Sequence, residues 1–214
     1  MRVPRALRGG ARLVWRHLTT LVWLNLLWVL LAWTAVLTGP ATLTTYELIA
    51  ALREDRPAAL RRYPALLRRN LLPGTLWLLS TALFAFVLYS NLVFWRRRLG
   101  PFGDAAVSLL GVYLAWLFAA LQPYVLEGLS VERLPLGRAW RAALRAVVRS
   151  PLSAHLFVVV PAAGGLLALL TNTFTLLVLV SLVLAFAATQ VRPLVDRDGP
   201  PEPSGEHPDA APST

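Results

Sequence analysis

Cysteine and lysine are both absent from this chain, and acidic residues are few. Without cysteine there is no disulfide, no thiolate metal site, no iron–sulfur cluster and no cysteine nucleophile. Charge is scarce overall, at 15% of 214 residues against about 25% in a soluble domain. It is missing altogether from five runs: 18–38, 71–95, 105–126, 152–170 and 174–191. No sequence of the Walker, G-x-G-x-x-G, G-x-S-x-G or H-E-x-x-H kind is present. The pair Ser153 and His155 does not amount to a catalytic set, because positions two apart on a helix do not face each other.

What remains is apolar and arginine-rich. The charge-free runs are 18 to 25 residues long. About 20 helical residues cross a hydrocarbon core of roughly 30 Å. The composition therefore predicts an all-α, polytopic transmembrane helix bundle of about five spans. One membrane domain, 1–191, uses nearly the whole chain. The Pro-, Gly- and acid-rich residues 192–214 have too little apolar content to fold and read as a disordered tail. The N-terminal run is longer than a signal h-region and lacks a cleavage site, so it reads as a retained membrane segment.

All 21 basic residues are Arg, the net charge is +10, and every Arg lies outside the apolar runs. A nucleic-acid reading would need a soluble basic domain, which is lacking. Arg beside membrane segments points to topology and to anionic headgroups. Two stretches read as basic amphipathic interfacial helices. In the first, the heptad Pro57-Ala-Ala-Leu-Arg-Arg-Tyr63 is followed by Pro64-Ala-Leu-Leu-Arg-Arg-Asn70. Two helical turns per repeat put Arg61, Arg62, Arg68 and Arg69 on one face. Pro64 is expected to bend this helix. In the second, Arg138, Arg141, Arg145 and Arg149 recur at spacings of 3, 4 and 4. Trp140, Leu144, Val147 and Val148 lie away from them, as on a helix resting in a membrane interface. These eight Arg are the expected contacts with the membrane surface or a partner. Gly111, Ala115 and Ala119 form a small-xxx-small stripe expected to pack against another helix.

The side of the N-terminus depends on the first apolar segment. Five full crossings leave eight Arg on the N-terminal side and thirteen on the other, a weak bias toward N-out. If the first segment re-enters at the Gly39-Pro40 break, the count becomes eighteen against three. Five crossings is the default expectation, and re-entry the alternative. Glu47, Glu127 and Glu132 are expected to be solvated loop charges or partners for nearby Arg, and His155 to lie near the headgroups. Asn25, Ser80, Thr81, Asn91, Ser108, Gln122 and Asn172 are expected to bond between helices.

Asn25-Leu-Leu-Trp28, Gly39-Pro-Ala-Thr42 and the basic loop ending Arg68-Arg-Asn70 resemble the YesL-like family of bacterial integral membrane proteins. Gln122-Pro-Tyr-Val125 and Arg149-Ser-Pro-Leu152 are similar to its second half. The Arg-only loops and the acidic tail depart from it. That resemblance implies a multi-pass protein of the inner (cytoplasmic) membrane with no established activity, whose relatives are often encoded near carbohydrate-uptake systems. The expectation is a non-enzymatic protein without cofactor, auxiliary to a transport system. Its partners would be the bilayer's anionic headgroups and a transporter complex or cytoplasmic protein, not nucleic acid. A small self-contained transporter or channel is the alternative.

Overall fold

The computed structural model describes residues 5–56, 60–96, 98–152, 154–155, 158–159, 162–163 and 176–191. Among them there is no strand. The helices are α1 (Arg5–Arg16), α2 (Leu18–Ala32), α3 (Thr38–Arg53), α4 (Tyr63–Arg69), α5 (Leu71–Arg96), α6 (Pro101–Ser130), α7 (Leu136–Arg149) and α8 (Leu176–Gln190). Most of the expected fourth span, the 171–173 turn and the 192–214 tail lie outside the described residues.

Among the described residues two helices, α5 and α6, are long and apolar enough to cross a membrane, and α1 with α2, bent by 86°, makes a third if that pair is one span. At about 1.5 Å per residue, the 26 and 30 residues of α5 and α6 run for roughly 39 and 45 Å. They form an antiparallel pair with Phe84 stacked on Phe118 at 3.9 Å between ring centroids. Their outer faces carry Leu79, Leu83, Phe86, Leu109 and Val112, all uncovered by the rest of the chain. So large an apolar surface is stable only against lipid or another membrane protein.

The first apolar segment does not continue across. It breaks at Trp33–Leu37, where Ala35 takes a left-handed φ of 57°. α2 leads away from α1, and α3 returns beside it. Trp28 Nε1 donates to Thr42 Oγ1 across the pair at 2.9 Å. Pro40 sits in the first turn of α3, where a missing N–H costs nothing. Its neighbour Gly39 is buried against Gly74 of α5: a Cβ on Gly39 would lie 2.2 Å from the Gly74 carbonyl oxygen. The two backbones meet because neither has a side chain there. α3 is thereby buried almost all round, by α2, α5, α6 and α8.

This turn-back sets α1 beside the end of α8. Gly9 of α1 faces Thr189 of α8, and Arg16 reaches Asp55 just after α3. α1, the loop after α3, α4, α7 and the end of α8 gather at one end of the bundle. Five complete crossings would set α1 and the end of α8 at opposite ends. The observed α2–α3 hairpin does not fit that default and has the geometry of the alternative.

Other expectations change locally. Leu60–Arg62 form a 3-10 turn, and Pro64 opens α4 instead of bending a longer helix. Of the small-residue stripe, Gly111 is buried against Leu92 and Ala119 is half-buried, but Ala115 is exposed. An apolar groove of 320 Å³ lies between α5 and α6, lined by Leu88, Leu92, Leu110 and Gly111 among others.

Gly39→Ala is expected to destabilise the protein by about 1–3 kcal/mol, because backbone on the far side cannot yield. Ala115→Leu is expected to change stability by less than about 0.5 kcal/mol. Thermal unfolding in a fixed detergent checks both. Single cysteines replacing Arg12, Arg62 and Arg141 should react with an impermeant thiol reagent from one side of sealed vesicles, and a cysteine at Arg98 from the other. Labelling of Arg12→Cys together with Arg98→Cys would restore five crossings.

Candidate functional site: a buried polar layer at the basic end

Three helices end around one carboxylate. Glu127 lies inside α6, beyond Pro123, and has no exposed surface. Arg53, the last residue of α3, grips it with both terminal nitrogens, at 3.0 Å to Oε1 and 3.2 Å to Oε2. Tyr46 Oη donates to Oε2 at 2.9 Å from two turns back on α3. Arg53 also donates to the Ala188 and Val191 carbonyl oxygens at 2.7 and 3.2 Å. Ala188 is in the last turn of α8 and Val191 follows its end, so neither carbonyl has a partner inside the helix. A cation at that position also complements the negative end of the helix dipole. One guanidinium thus joins α3, α6 and α8.

The backbone after Arg53 is built to end there. Asp55 takes φ 53°, Asp55 N–H bonds Leu52 O, and Arg56 N–H bonds Ala51 O, the two bonds of a Schellman stop. Glu54, exposed beside it, receives bonds from Arg53 and Arg56. Partial burial alone would raise its carboxyl, but these bonds outweigh it and hold the pKa below the usual carboxylate value.

A second cluster sits one to two turns away on α3. Glu47 pairs with Arg69 of α4 and, at 2.6 Å, with Arg133 after α6. Buried Asn70 donates to Thr44 Oγ1 and Glu47 Oε2, both at 3.2 Å, and accepts from Arg133 at 2.8 Å. Arg133 adopts φ 57°, a conformation costly for a non-glycine residue. Its two bonds into this cluster offset that strain. A third junction lies deeper, where Asn25 of α2 accepts from Ser181 N and Oγ of α8 at 3.1 and 3.3 Å.

Glu127 and Glu47 are thus partners of Arg from other elements, one arm of the expectation, and Glu127 is not a solvated charge. Among the polar span residues, Asn25 and Gln122 bond across helices, Gln122 accepting from Trp77 at 2.9 Å. Ser80 and Asn91 instead bond carbonyls of their own helix. Asn172 lies outside the described residues. His155 is half-buried, with Nδ1 2.7 Å from the Pro151 carbonyl of its own helix. Among the described residues no group of acidic or His side chains could hold a metal.

The expected surface Arg are at the surface. Arg61, Arg62 and Arg68 are exposed, as are Arg138, Arg141, Arg145 and Arg149. Arg69 is exposed but pairs with Glu47. The face that α7 turns to the bundle is Ala139, Ala142, Ala143, Ala146 and Val147, with Trp140 beside Phe118 of α6, while Leu144 and Val148 stay uncovered.

Residues 21–92 match the family model described as Protein of unknown function, DUF624. The match is consistent with a YesL-like domain and covers the α2–α3 hairpin, α4 and nearly all of α5. It takes in Gly39, Glu47, Arg53, Asn70 and Gly74 but stops before Glu127. No curated protein and no solved structure matches the chain.

Removing Arg53 strands a buried carboxylate, so Arg53→Met is expected to cost roughly 3–5 kcal/mol. Glu127→Met should cost a similar amount. The double variant should cost far less than the two together, because an apolar pair of similar volume strands nothing. Unfolding of the four proteins in one detergent gives the cycle. Strict additivity would mean that the two side chains do not act as a pair.

Proposed function

We propose that this is a non-enzymatic, multi-pass protein of the cytoplasmic membrane that assists or regulates a transport system. One observation carries the reading. Arg61, Arg62 and Arg68 stand exposed around α4, with no carboxylate among the described residues paired to them. The outward residues of α4 itself are Pro64 and Ala65, and the nearest exposed large apolar side chains, Leu71 and Leu72, belong to the start of α5. A cationic, water-facing helix between membrane segments is suited to an acidic surface on a cytoplasmic protein. Positive-inside bias favours the cytoplasm for that end, with eighteen Arg of the chain on its side if the first segment re-enters.

Two further points support it. The buried charges Glu127 and Arg53 are fully engaged in joining helices, which leaves neither free for chemistry or ion coupling. The YesL-like resemblance implies proximity to carbohydrate uptake, and sugar transport is accordingly the favoured system. Affinity capture of the full-length protein from native membranes should bring down a transport component in near-stoichiometric amount, identified by mass spectrometry. Arg61→Glu, Arg62→Glu and Arg68→Glu together should abolish that capture while insertion and unfolding temperature stay as in wild type. Solute flux in liposomes containing this protein alone would favour the self-contained transporter instead.

A further inference from the structure

The two outer amphipathic helices, α1 and α7, share an arrangement that α4 lacks. Around α7 runs a docked strip of Ala139, Ala143 and Ala146, then an uncovered apolar strip, then the Arg strip. The apolar strip is Leu144 and Val148, 53% and 71% exposed. The Arg strip is Arg138, Arg141, Arg145 and Arg149. Around α1 the same order recurs in the same rotational sense. Gly10, Leu13 and Val14 face the bundle, Trp15 follows at 84% exposed, then Arg12 and Arg16. A period of 3.6 residues fixes these sectors.

We infer that the outer faces of α7 and α1 form an anionic-phospholipid site, the Arg strips holding headgroup phosphates while Leu144, Val148 and Trp15 enter the acyl boundary. Charge complementarity selects the headgroup: four Arg on one strip of α7 meet no acidic residue on that helix. The adjoining apolar strip selects a bilayer over a soluble acidic protein. Leu144 and Val148 would be left in water beside a soluble partner, whereas a membrane interface satisfies both strips at once. Guanidinium groups also bind phosphate oxygens with paired donors. Arg16 has an exposed partner in Asp55 at 3.4 Å, which is too weak to hold it from a phosphate. The inference requires only a membrane-embedded chain and is independent of any role in transport.

The test uses full-length protein in nanodiscs of phosphatidylcholine with a rising fraction of phosphatidylglycerol. Nitroxides on V148C and R145C, in the Cys-free background, report depth. The V148C label should be relaxed by oxygen and shielded from a water-soluble nickel chelate, and the R145C label the reverse. The unfolding temperature of wild type should climb with phosphatidylglycerol. R138Q/R141Q/R145Q should lose more than half of that climb, and R61Q/R62Q/R68Q should keep it. Equal chelate access at both labels would show that α7 faces water and would overturn the inference in favour of a soluble partner. A wild-type lipid response in R138Q/R141Q/R145Q would overturn it as well. Both outcomes are independent of capture by a transport component.

Discussion

A carboxylate with no exposed surface must be paired, and the pairing of Glu127 organises the broad end of this protein. An ion buried alone costs several kcal/mol. Glu127 avoids that cost through one guanidinium and one phenol, both carried by α3. The same guanidinium caps the end of α8. Such a pair adds little net stability over an apolar substitute, and its value lies in register. It fixes how far α3 slides along α6 and where α8 stops. The Glu47, Asn70 and Arg133 cluster repeats the device between α3, the start of α5 and the loop after α6.

With α3 held at its C-terminal end by charge, its other end is free to be held by close approach. Gly39 against Gly74 provides that, and the α2–α3 hairpin turns back where the two glycines meet. Its return places α1 at the end that already carries α4 and α7. The consequence is an asymmetric molecule: one end packed, polar inside and ringed by Arg, the other formed by the two long helices α5 and α6. Function is expected at the first end, where the exposed chemistry is. Its outer helices divide by composition. An Arg face without apolar neighbours suits water and protein, and one flanked by Leu, Val or Trp suits lipid.

The helical membrane architecture was legible because charge exclusion over 18 to 25 residues has few other causes. The basic helices were legible from Arg spacing. The hairpin was legible only as the alternative, because its turn at Trp33–Leu37 contains neither Gly nor Pro, and the visible break at Gly39-Pro40 lies in the first turn of the next helix. Glu127 was hidden because Pro123 reads as a helix end, yet α6 continues through it to Ser130. Once the helix continues, a carboxylate one turn past the proline must go inside. A signal did exist: Arg53, at the end of an apolar and Thr-rich helix, is the complementary charge.

The central claim is that a charged pair, not a neutral hydrogen bond, sits at the meeting point of α3, α6 and α8. Infrared difference spectra between wild type and Glu127→Gln in nanodiscs at neutral pH test it directly. The account predicts loss of a carboxylate stretching band with no change in the protonated-carboxyl region. Loss of a protonated-carboxyl band would show that Glu127 is buried neutral and that Arg53 does not pair with it as an ion.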